Sequence, residues 1–205
     1  MIGTEYIGNR IFYEYLKKIF FLSNFILFIY SIIIFMFIYN NALSKPFFAD
    51  NFNDKNKWIF ITDGVMGGIS SGSLNFLNIN NKIIAHMSGE VSTKNNGGFI
   101  QIRRDLQNIN LAKLRNISLF AKGNNDEYFI HIRTNKTILP WQYYSIKFFV
   151  NDKYTKIILP ISKFKKSNFL LPSKISPEDI KSIAVVAYGK NYSAEIFIQS
   201  IGFNY

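Results

Sequence analysis

Hydrophobic and polar positions divide the chain into two textures. From Ile19 to Tyr39, 21 residues pass without a charge, nearly all of them Ile, Phe, Leu or Tyr. As a helix this run spans about 31 Å at ~1.5 Å per residue, the hydrocarbon thickness of a bilayer. Past residue 46 the pattern shortens to alternating segments broken by Asn, Gly and Lys. Trp58 to Ile61, Leu74 to Ile79, Lys82 to Val91, Phe99 to Leu106 and Ile117 to Ala121 read as strands. So do Tyr128 to Thr134, Tyr143 to Val150, Lys156 to Ile161, Ile183 to Tyr188 and Ala194 to Phe203. Asn80-Asn81 suits a tight hairpin. Ser176-Pro177-Glu178-Asp179 predicts one helical turn, with Ser as N-cap and Pro at the first position. Strands at this spacing predict an all-β sandwich or jelly roll.

The organisation expected is a cytoplasmic segment over 1–18, a transmembrane helix or uncleaved signal anchor over 19–39, a linker over 40–46 and one β-sandwich domain over 47–205. Arg10, Lys17 and Lys18 precede the apolar run, whereas only Lys45 follows within fifteen residues. The positive-inside rule then places the N-terminus in the cytoplasm and the domain outside the inner membrane, in the periplasm. The rival reading is a cleaved signal peptide releasing a periplasmic or secreted domain, since Ala42-Leu43-Ser44 supplies small residues at a suitable place.

The net charge is +11. From Lys45 onward 21 Lys and Arg face 11 Asp and Glu, so the basicity belongs to the domain. It points to an anionic partner such as a membrane surface, or to lysine enrichment by AT-rich codons that also favour Ile, Phe, Tyr and Asn. No basic block with interleaved stacking aromatics resembles a nucleic-acid module, so nucleic acid is not an expected partner. The absence of cysteine excludes a thiol nucleophile, a Cys-based zinc site and disulfides.

The most specific local chemistry runs from Trp58 to Gly72, WIFITDGVMGGISSG. A buried strand ends at Thr62-Asp63-Gly64, where Asp can bond its own backbone. Val65-Met66 are expected to turn inward as an apolar plug, and Gly67-Gly68 allow backbone paths closed to residues with a Cβ. The stretch reads as a rigid corner or as a binding rim.

The pattern W-x4-D-x-V-M-G-G-x-S, carried by Trp58, Asp63, Val65, Met66, Gly67, Gly68 and Ser70, resembles the opening signature of the complex I intermediate-associated protein family. Gly97-Gly98-Phe99 with Arg103 resembles its GGF segment, and Tyr128 to Thr134 its strand ending in Arg-Thr. Leu159-Pro160 with Phe164, and Ile196 to Tyr205, resemble later segments; Tyr154 stands where a tryptophan is expected. The resemblance implies a galactose-binding-like jelly roll and a non-enzymatic chaperone that holds membrane-arm intermediates of respiratory NADH:ubiquinone oxidoreductase. It implies no cofactor. On this reading Trp58, Asp63, Met66, Gly67, Gly68, Ser70, Gly97, Gly98, Phe99 and Arg103 are candidates for partner contact.

Other chemistry is weaker. Gly68-Ile69-Ser70-Ser71-Gly72 satisfies the nucleophile-elbow pattern of a serine hydrolase, but it leads into a strand, and only His86 and His131 could serve as base. Asp50, Asn53 and Asp54 suggest a calcium loop, yet match no defined ligand spacing, and no metal is expected. Trp141, Tyr143 and Tyr144 could form a stacking platform for carbohydrate, which would make the chain an exported ligand-binding module. Lys163, Lys165 and Lys166 could rest on anionic headgroups.

Overall fold

The computed structural model describes residues 17, 20–32 and 47–205. Two compact units divide the chain, 1–44 and 45–205. In the first, residues 20–32 are helical. The rest of the expected span, residue 19 and residues 33–39, lies outside the described residues, as does the expected linker 40–46. Among the described residues no helix is long and apolar enough to cross a membrane.

The second unit is a sandwich of two six-stranded antiparallel sheets. Its strands are β1 (Phe48–Asp50), β2 (Trp58–Thr62), β3 (Ser71–Ile79), β4 (Lys82–Val91), β5 (Phe99–Asp105) and β6 (Asn116–Gly123). The series continues with β7 (Glu127–Thr134), β8 (Tyr144–Phe149), β9 (Thr155–Pro160), β10 (Lys165–Lys166), β11 (Ile180–Tyr188) and β12 (Tyr192–Asn204). One sheet runs β3-β4-β12-β6-β9 with β1 beside β12; the other runs β10-β8-β7-β11-β5-β2.

Alternation decides which side of each strand faces inward. In β7, Tyr128, Ile130 and Ile132 are buried while Phe129, His131 and Arg133 lie on the outer face. The core between the sheets is filled by Ile100, Ile102, Leu119, Ile130, Ile132, Ile196 and Ile198. Buried Tyr128 keeps its hydroxyl satisfied, donating to Asn124 Oδ1 and accepting from the Glu195 N–H, both at 2.8 Å. Asn80 and Asn81 take φ of 51° and 60°, the left-handed pair a two-residue hairpin turn requires. The turn at Pro177–Asp179 forms, but Ser176 makes no side-chain cap.

One buried ion pair ties β1 to the second sheet. The Asp50 carboxylate accepts from the Phe52 N–H at 2.8 Å and the Trp58 indole N–H at 2.7 Å, and it pairs with Arg104. This is why Trp58 is buried, and it leaves Asp50 no part in a calcium loop. No cluster of three metal-ligating side chains occurs among the described residues.

With the start of β2 taken as the lower end, the upper end carries residues 62–71, 92–98 and 189–191. The lower end carries residues 135–143 and 167–179. Also at the lower end, Phe48 pairs with Phe203 and Phe47 stacks on Tyr205 at 4.4 Å.

Candidate functional site

Asp63 organises the upper corner. Thr62 Oγ1 accepts from the Gly64 N–H at 3.1 Å, and residues 63–66 make one tight turn closed by Gly67 at φ 86°. The Asp63 side chain, with no exposed surface, accepts from Ser70 N at 2.9 Å, Ser70 Oγ at 2.5 Å, Gly98 N at 2.5 Å and Phe99 N at 3.2 Å. Ser70 Oγ in turn accepts from the Ser92 N–H at 2.9 Å. Burial pushes the Asp63 carboxyl up, but the hydrogen bonds from Ser70, Gly98 and Phe99 outweigh it and hold the group below its ordinary value. Gly68 and Gly97 flank the carboxylate so closely that a Cβ on either would strike it. One buried anion therefore cross-links residues 63–70 to residues 97–99.

The corner is the reverse of the one expected. Asp63 turns in, whereas Val65 is 74% exposed and Met66 and Ile69 also face solvent. A carboxylate with several backbone donors forgoes more on leaving them than two apolar side chains lose in water: charged hydrogen bonds are worth about 1.5–3 kcal/mol each, and a buried Val or Met about 1.5–3 kcal/mol. Of the residues expected to touch a partner, Asp63, Ser70 and Gly98 are buried and act as the frame, whereas Trp58 is buried at the lower end, donating to Asp50. Met66 and Gly67 are exposed. Ile69, which periodicity did not single out, belongs with them; the two glycines before it and the serines after it left it as the one apolar side chain of that segment.

Ser70 has no histidine to serve as its base. Its hydroxyl is committed to Asp63 and Ser92, and neither histidine is near it in the hydrogen-bond network. His86 meets Glu195 at 3.2 Å and stacks on Phe197 at 4.1 Å. His131 lies on the outer face of the β7 sheet, stacked on Tyr143 at 4.0 Å and edge-on to Tyr188 at 5.8 Å. Burial lowers His131 to about 4. Such a group is neutral at pH 7, and its stabilisation is present above the unfolded value of 6.5 and lost as pH falls through about 4. Urea denaturation between pH 7 and 4 is therefore expected to show a loss of up to about 3 kcal/mol. A His131→Phe variant is expected to remove that slope.

The outer face around His131 also holds Gln101, Arg103 and Arg133, carried on strands on either side of β11. Ala184, opposite both Arg103 and His131, keeps the floor between them low. Arg133 donates to the carbonyls of Thr137 at 3.3 Å and Leu139 at 3.1 Å. Burial first, and the charge of Arg103 second, lower its pKa. The expected aromatic platform splits. Tyr144 is 1% exposed and belongs to the core, its hydroxyl donating to Pro172 O at 3.0 Å. Tyr143 joins the His131 stack, and Trp141 stands exposed in the 135–143 loop. Lys163 and Lys165 are exposed, whereas the Lys166 ammonium folds onto the carbonyls of Phe169 at 2.9 Å and Leu171 at 2.8 Å. The residues marked by sequence thus gather at two opposite ends of the sandwich.

The family model for complex I intermediate-associated protein 30 matches residues 47–196. A family 11 carbohydrate-binding module from Clostridium thermocellum, in complex with a β-1,3-1,4-mixed-linked tetrasaccharide, superposes with a TM-score of 0.64 at 17% identity, covering 80% of this chain and 97% of that one. The family 11 module of a cellulosomal cellulase from the same organism gives 0.62 at 16% identity, covering 79% and 95%. At these identities the likeness shows the fold, a galactose-binding-like β-sandwich. No curated protein matches the chain.

Proposed function

Because the chain belongs to the complex I intermediate-associated protein 30 family, we propose that it is a non-catalytic binding protein that holds intermediates of respiratory complex I at the membrane. The observation that carries this reading is the Asp63 lock. Of the positions matching the family signature, Asp63, Gly68 and Ser70 build a frame whose product is an ordered apolar rim, Val65, Met66 and Ile69. An ordered loop has less conformational entropy to lose on binding than a slack one, so exposed apolar area converts to affinity more fully. Nothing in such a task requires a reacting group.

The test is co-purification from membranes. Val65→Asp/Met66→Asp is expected to lower recovery of membrane-arm subunits at least tenfold, about 1.4 kcal/mol, while the melting temperature stays unchanged. Unchanged recovery would reject the rim as the contact. A reporter joined after Tyr205 decides the side: the family's mitochondrial members act in the matrix, equivalent to the bacterial cytoplasm, whereas the flanking charges favour the periplasm.

A second reading, an exported carbohydrate-binding module, is favoured by the open face of the β7 sheet. There Tyr143, His131 and Tyr188 present aromatic surface beside Gln101 and two arginines. Titration with the mixed-linked tetrasaccharide, followed by Tyr143→Ala, separates it from the first reading.

A further inference from the structure

The lower end of the sandwich exposes apolar side chains on braced loops. Ile138 is 83% and Phe169 81% exposed, and Leu139, Trp141 and Leu170 accompany them. The two loops are joined at their roots. Ser167 N donates to Tyr143 O, Tyr143 N to Ser167 Oγ, and Ser167 Oγ to Trp141 O, each at 2.9 Å. Neither loop is slack. Buried Gln142 accepts from the N–H groups of Ile138 at 2.9 Å and Leu139 at 3.0 Å, Arg133 grips the Leu139 carbonyl, and Lys166 grips those of Phe169 and Leu171. Large apolar side chains held in water by so many hydrogen bonds mark a contact surface.

Cations surround this surface. Lys136, Lys163, Lys165 and Lys174 are exposed around the loops, with Glu178 and Asp179 as the nearby acids. Beside them opens a cleft of about 1020 Å³ that reaches from Ile138 to Phe48. Arg103, Arg133 and Lys181 line it together with Lys57, which pairs with Asp54 at 3.3 Å, and Arg104, which pairs with Asp50; Asp105 is the carboxylate among the lining residues. Neither Arg103 nor Arg133 forms an ion pair among the described residues. Phe48, which opens β1, lies at this same end.

We propose that the lower end is a docking surface for an anionic phospholipid bilayer. Ile138, Leu139, Trp141, Phe169 and Leu170 enter the acyl boundary, the exposed lysines rest on headgroups, and the cleft between Arg103 and Arg133 receives a lipid phosphate. Exposed apolar and aromatic side chains on loops that also carry exposed lysines fit the layered chemistry of a membrane interface. Val65 and Met66 lie at the upper end, outside this docking surface. This inference does not depend on the identity of the partner bound there.

Trp58 is sealed against Asp50, so of the two tryptophans only Trp141 can meet lipid. The test places the full chain in vesicles of phosphatidylcholine and phosphatidylglycerol carrying brominated acyl chains and records tryptophan quenching. Strong quenching is expected, absent in Trp141→Phe and in Ile138→Asp/Phe169→Asp. Lys163→Gln/Lys165→Gln is expected to lower the ratio of docked to undocked domain about fivefold per lysine. Both double variants replace exposed side chains, and an unchanged melting curve certifies the fold. Unquenched Trp141 would overturn the proposal. So would equal quenching in phosphatidylcholine alone together with no effect of the lysine pair, the control that remains if the aspartate variant does not fold.

Discussion

Asp63→Ala is expected to lower the unfolding free energy by about 3–5 kcal/mol, because it strands buried donors that a single carboxylate now satisfies. Four donors converge on that group, from Ser70 N, Ser70 Oγ, Gly98 N and Phe99 N, and alanine offers none of them an acceptor. Asp63→Asn is the milder probe: it keeps one acceptor but aims an NH2 group at N–H donors, so it too is expected to destabilise. Urea denaturation measures both. The same lock responds to pH. Its folded pKa lies below 3.8, so the stability it contributes is complete above that value and drains away as pH falls through the folded value. Acid should therefore loosen the corner below the range in which His131 titrates. Gly97→Ala attacks the lock from the other side, since its Cβ would collide with the carboxylate while leaving every donor in place.

Arg104→Ala is expected to cost a comparable amount, about 3–5 kcal/mol, by leaving Asp50 charged and enclosed. Asp50 would keep only the Phe52 and Trp58 N–H groups. The guanidinium also lies 5.1 Å from the Phe48 ring, so its loss loosens β1 as well as the β2–β5 pair. Trp58→Phe, which removes one hydrogen bond but keeps an aromatic, is expected to cost only about 1 kcal/mol. Joint replacement, Asp50→Leu with Arg104→Met, is expected to cost far less than the sum of the single changes. Removing both charges avoids the uncompensated one, and the coupling energy of that cycle measures it. Additive losses would show the pair to be unimportant.

The strands were readable because alternation writes the burial of a two-layer sandwich directly into the chain. β7 is the clearest instance: Tyr128, Ile130 and Ile132 point in, and Phe129, His131 and Arg133 point out. The Asn80-Asn81 hairpin was readable for a similar reason, since few residue pairs accept two positive φ values. The corner was not. Periodicity assigns Val65 and Met66 to the interior on hydrophobicity alone, and it cannot weigh them against a carboxylate whose donors sit 35 and 36 residues away at Gly98 and Phe99. The Asp50–Arg104 pair was hidden in the same way, with Asp50 lying in what composition presents as a polar Asn-Asp cluster. Tyr144 and Trp141 stand three residues apart and look equivalent in sequence, yet strand register puts one in the core and leaves the other on a loop. Long-range hydrogen bonds decided each of these positions except the last, and local pattern carries no record of them.

The most direct test of the binding function is a photo-crosslinking amino acid placed at Met66 in the full chain, irradiated in native membranes and analysed by mass spectrometry. Adducts with membrane-arm subunits of NADH:ubiquinone oxidoreductase are expected, lost when Asp63→Ala dissolves the lock beneath that position. Adducts that persist unchanged in Asp63→Ala, or an absence of respiratory subunits while the mixed-linked tetrasaccharide binds the open β7 sheet, would contradict that function.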